Sequence, residues 1–86
     1  MKPFELLLAY KVVEFARQLN RSDRNVIEKA FKSLEESPHN CKDLTERHLS
    51  GREHFVLYRG KFAIKFWIDD WEREVKVMKI QLRDSP

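Results

Sequence analysis

The residues with chemical potential in this 86-residue chain crowd into its last third. Lys61, Lys65, Lys79, Gln81 and Arg83 sit at alternate positions of a stretch in which apolar and polar residues take turns. Such alternation marks a strand with one buried and one wet face. Cations two or four residues apart on a strand share a face, so the row is a seat for a polyanion. Arginine grips a phosphate through two parallel hydrogen bonds, and lysine acts as a point charge. His54, at the head of the stretch, and His48 before it are the candidates to move protons, because histidine titrates near neutrality. Arg52 and Arg59 add charge. Trp67, beside Lys65, offers a ring on which a base could stack. A solvated, lysine-rich sheet face is the plainer account of the same pattern. A tryptophan such as Trp67 serves equally well to pack under a partner's helix.

Other chemistries find no footing. There is no glycine-rich phosphate loop, no serine–histidine–aspartate set and no group of residues at metal-ligand spacing. His39 and Cys41 lie two apart, with no further ligand at zinc spacing. Cys41 is the only cysteine, so no disulfide framework can form and a reducing compartment is expected. The net charge of +3 fits a nucleic-acid partner without requiring one. The Phe4–Tyr10 run is too short for a membrane span and lacks a cleavage site for a leader. A soluble cytoplasmic protein is expected, with no membrane and no small-molecule cofactor.

These residues need a scaffold. Residues 4–9 form a short apolar run that reads as a strand. Val12, Phe15, Ala16 and Leu19 then fall on one helical stripe over 10–20. Ser22 is the expected cap of a second helix, whose stripe is Val26, Ile27, Ala30, Phe31 and Leu34 and which ends before Pro38. Residues 38–53 read as an irregular polar segment held down by Leu44 and Leu49. Strands follow at 54–59, 61–68 and 72–83, with turns at Arg59-Gly60 and Asp69-Asp70. The expected fold is α+β over a single domain, 1–86. It has an N-terminal strand, two antiparallel helices on one face of a small antiparallel sheet, and a C-terminal three-strand meander. Strict alternation gives Phe62, Ile64, Phe66 and Ile68 to the helices, with Met78, Ile80 and Leu82. It turns Lys61, Ala63, Lys65 and Trp67 outward, with Val75, Val77, Lys79, Gln81 and Arg83.

This order of elements resembles the RelE/ParE toxin superfamily. The resemblance rests on Glu36-Ser37-Pro38 closing the second helix, on Leu49-Ser50-Gly51, and on Tyr58-Arg59-Gly60-Lys61-Phe62-Ala63-Ile64-Lys65-Phe66, which is similar to the family's central signature. Val75 to Arg83 is similar to its closing strand. The resemblance implies a toxin restrained by a cognate antitoxin. RelE-like members cut ribosome-bound mRNA as metal-independent endoribonucleases (mRNA interferases). ParE-like members inhibit gyrase, and a catalytically silent binding member of the same fold is the third possibility. On the first reading, Arg83, Lys65, Lys61 and His54 are the catalytic candidates. Lys61, Lys65, Lys79, Arg83, Arg59, Arg52 and Trp67 would bind RNA, without a metal. Two departures stand out: Ala63 holds the place of a signature arginine, and no tail tyrosine or histidine follows Arg83.

Overall fold

In a computed structural model that describes residues 3–83, the chain runs β1 (Glu5–Leu8), α1 (Tyr10–Arg17), α2 (Arg21–Glu36), a 3₁₀ turn (Pro38–Asn40), β2 (Leu44–Arg47), β3 (Glu53–Arg59), β4 (Phe62–Asp69) and β5 (Glu74–Leu82). The five strands form one sheet in the order β1-β5-β4-β3-β2. The architecture is α+β. The sheet is mixed rather than antiparallel, because the two helices carry the chain back across it and β1 pairs with β5 in parallel. All other neighbours are antiparallel.

The helices form where the apolar stripes place them. Val12 of α1 and Ile27, Ala30 and Leu34 of α2 are buried together with Phe55, Leu57, Phe62, Ile64, Phe66, Val75, Val77 and Ile80 of the sheet. All the core therefore lies on one face of the sheet. The cap of α2 is Asn20 rather than Ser22. Its side-chain oxygen accepts a 2.8 Å hydrogen bond from the Asp23 amide, the usual N-cap to N3 arrangement.

Two expectations fail at the segment 38–53. It contains β2, a strand too short and too polar to announce itself by alternation. Leu44 and Leu49 do not anchor it, being 43% and 107% exposed. The anchors are Pro38 and Cys41, both buried, and Asp43, whose carboxylate accepts from the Tyr58 amide at 2.8 Å. Leu49 instead tips the β2–β3 loop, closed by His48 and Arg52 backbone bonding and by Gly51 at φ +88°.

The parity of β5 also departs from expectation. Lys65 pairs with Lys79, but its neighbour Phe66 pairs with Val77. Met78 is thus an extra residue, a β-bulge that resets the alternation. Val75 and Val77 go into the core with Ile80, against the strict two-residue period, while Lys79, Gln81 and Arg83 keep to the open face. Leu82 is left largely exposed.

Deletion of Met78 restores regular alternation with the same residues on the same faces. The variant should melt cooperatively, at a cost within the ~0.5–3 kcal/mol of ordinary single changes. Deletion of Ala63, in a strand with no spare residue, would turn Lys65 or Phe62 to the wrong face and should abolish the cooperative melt. Thermal unfolding followed by circular dichroism checks both.

Candidate functional site

The open face of the sheet is hollowed into a cleft of about 320 Å³. Alternation on four strands aims its lining: Leu44 and Glu46 from β2, Val56 and Tyr58 from β3, Ala63 and Lys65 from β4, and Lys79 and Gln81 from β5, with Arg83 just beyond. Ala63 and Val56 are buried yet stand outside the helix-side core, so they floor the cleft. The small side chain at position 63 helps to leave the hollow.

The cations divide into two kinds. Lys65 is already matched, its Nζ 3.0 Å from Glu46 Oε1. Lys79 and Arg83 have no ion pair among the described residues. Arg83 is held in other ways. Its amide donates to the Lys61 carbonyl at 2.8 Å, and its guanidinium lies 4.4 Å from the centroid of the Tyr58 ring, a cation–π contact that steadies the group without neutralising it.

Other candidates lie elsewhere. Lys61 does not share the face of Lys65, because it sits in the two-residue β3–β4 turn after Gly60 (φ +54°) and reaches α2, 3.0 Å from Asp23 Oδ2. Only its carbonyl serves the site. Arg59 is one step out of phase with Tyr58 and turns toward Asp43, at 3.9 Å. His54 belongs to the cleft face, opposite Glu46 in the β2–β3 register, but it is buried and stops short of the lining. Its ring packs against that of His48, with centroids 4.1 Å apart. Burial first, and then the His48, Lys65 and Arg52 charges, hold its pKa below the usual histidine value. Arg52 and Trp67 pack together farther along the same face.

Two lining residues, Glu46 and Tyr58, escaped the sequence reading. Tyr58 was accessible to it, since it shares parity with His54. Glu46 was not, because β2 was not recognised. The cleft therefore holds a carboxylate in contact with an ammonium, a phenol, and two unpaired cations. Such a set can grip a phosphate and pass a proton. Among the described residues no group of three histidine, cysteine or acidic side chains is placed to hold a metal ion.

No protein-family model and no curated protein matches the sequence. Solved structures match the fold over nearly the whole chain. The archaeal RelE–RelB complex from Pyrococcus horikoshii OT3 superposes with a TM-score of 0.83 at 11% identity, covering 98% of this chain and 99% of that one. The toxin–antitoxin complex RelBE2 from Mycobacterium tuberculosis gives 0.77 at 21% identity, covering 94% and 99%. The intact E. coli RelBE toxin–antitoxin complex gives 0.72 at 15%, covering 95% and 99%.

His54 provides a pH test. A histidine whose folded pKa is depressed contributes stability that is complete above its unfolded value and is lost as pH falls through the folded value. The melting temperature should fall as pH is lowered from about 7 to about 5. His54→Gln should flatten that part of the profile; an unchanged slope would place the titrating group elsewhere.

Proposed function

With a RelE-like toxin fold as the premise, we propose that this chain is the toxin of a toxin–antitoxin pair and cleaves ribosome-bound mRNA in the cytoplasm. A cognate antitoxin would restrain it. The observation that carries the reading is the meeting of Lys79 and Arg83, free of ion pairs, with the Glu46–Lys65 contact in one cleft. The Pyrococcus horikoshii and E. coli structures that share this fold are complexes of RelE with RelB, which supports the partner.

The lining supplies the parts of a transesterification. The ribose 2′-hydroxyl attacks the neighbouring phosphorus while the bond to the 5′-oxygen breaks, giving a cyclic phosphate and a 5′-hydroxyl. Arg83 and Lys79 offset the charge that builds on the phosphate oxygens, where one preorganised donor is worth ~10²–10³-fold in rate. The Glu46 carboxylate takes the 2′-hydroxyl proton, and the Lys65 ammonium protonates the departing oxygen. Their 3.0 Å contact lets Glu46 hand its proton to Lys65 and reset the site. Tyr58 backs the guanidinium of Arg83. His54, neutral and buried opposite Glu46, supports the strand that carries the base. Lys61 acts through the carbonyl that fixes Arg83.

One feature favours a ParE-like inhibitor that cuts nothing: Ala63 supplies no charge to the cleft where the related signature has arginine. Induced expression in bacteria, with primer extension on abundant messages, separates the readings. Cleavage should produce growth arrest and new breaks inside translated regions, whereas arrest without breaks would favour the protein-inhibitor reading. Arg83→Ala should reduce cutting by ~10²–10³-fold and Glu46→Gln by ~10²–10⁴-fold. Both should remain folded: Glu46 gives up a half-exposed ion pair worth ~0–1 kcal/mol, and Arg83 a cation–π contact worth ~0.5–1 kcal/mol.

A further inference from the structure

Beyond the cleft, the sheet opens. The β3–β4 ladder ends at the Phe55–Phe66 pair, while β4 continues to Asp69 against β5. The wedge left between the parting strands holds a second hollow of about 490 Å³, lined among others by Lys42, Ser50, Arg52, Phe55 and Trp67. Two cations lie over the Trp67 ring, the Arg52 guanidinium 4.0 Å from its centroid and the Lys76 ammonium at 4.7 Å. Lys42 lies 4.9 Å over Phe55. The carboxylates here are occupied: Glu53 with Arg47 at 3.4 Å, and Asp70 with His39 at 2.7 Å. Lys76 is near Glu74, at 3.9 Å. Arg52 and Lys42 have no ion pair among the described residues, so their charge is available to a ligand.

A planar cation supported by an indole, with the unpaired Lys42 ammonium lining the same hollow, suits a nucleotide. Single-stranded RNA is bound by stacking bases on aromatic rings or guanidinium planes while cations follow the backbone. We propose that the Trp67–Arg52 stack in this wedge is a second nucleotide subsite, which holds a base of the RNA strand away from the bond cut in the first cleft. The inference rests on the RNA-cleaving reading and adds a footprint to it. Trp67 lies four residues from Ala63 on one strand, roughly 13 Å at the usual rise. A stacked strand advances about 3.4 Å per nucleotide. One dinucleotide step therefore cannot reach both sites, but a hexanucleotide can.

The test uses the full chain carrying Trp71→Phe, so that Trp67 is the sole indole, and uncleavable 2′-O-methyl RNA of two and six nucleotides. Binding of the hexanucleotide should change Trp67 emission. Arg52→Ala should weaken the hexanucleotide by roughly five- to a hundredfold and leave the dinucleotide unchanged. Arg52→Lys, which keeps the charge but loses the plane, should recover little. Arg83→Ala should weaken both lengths. If Arg83→Ala weakens both while Arg52→Ala alters neither and the emission stays constant, the second subsite is overturned and the cleft reading stands. Failure of either length to bind the parent chain, or indifference to Arg83→Ala, would remove the RNA reading and this subsite with it.

Discussion

One extra residue in β5 sets the chemistry of this molecule. Met78 breaks the two-residue period between Val77 and Lys79. On one side of the bulge β5 supplies Val75 and Val77 to the core; on the other it supplies Lys79, Gln81 and Arg83 to the cleft. An unbroken strand of the same sequence could not satisfy both. It would either bury Lys79 or leave two valines in water, at ~1.5–3 kcal/mol for each valine and more for the unpaired cation. In a domain of this size, which buries only about 60% of its unfolded surface, neither loss is tolerable. The bulge thus lets one strand serve both the core and the cationic cleft.

The electrostatics of the cleft follow from that geometry. Of the four cations that alternation would gather, Lys61 is drawn off to Asp23 on α2 and Lys65 to Glu46 on β2. Lys79 and Arg83 remain, the latter held by a backbone bond and by the ring of Tyr58. The result is a few fixed cations beside a carboxylate, carried by the sheet and by the residue that directly follows its β5 strand. This suits catalysis by preorganised charge, where the site should not have to rearrange as charge develops.

The sequence disclosed the helices through the spacing of Val12, Ile27, Ala30 and Leu34, and the central strand through the alternation of Phe62 to Ile68. It disclosed the α+β layers for the same reason: those stripes need a partner to bury against. The bulge was illegible, since Met78 passes for one more apolar residue in an alternating run. Strand β2 was illegible as well. It owes its existence to pairing with β3 and to the Asp43 bond to Tyr58, both long-range contacts, so Leu44 looked like an anchor and Glu46 went unnoticed. The departure of Lys61 depended on where Asp23 would come to lie, which no local pattern records. Lys65, Lys79 and Arg83 do share one face, although the parity used to place them was right on β4 and wrong for half of β5.

The proposed reaction works on RNA through the substrate's own 2′-hydroxyl. The most direct measurement places purified protein on ribosomes programmed with a message that has a single 2′-deoxy sugar at an established cut site. Cutting there should be lost, and the unmodified message should yield cyclic or 3′-phosphate ends with 5′-hydroxyl partners. Undiminished cutting at the deoxy position, or fragments that begin with a 5′-phosphate, would contradict it.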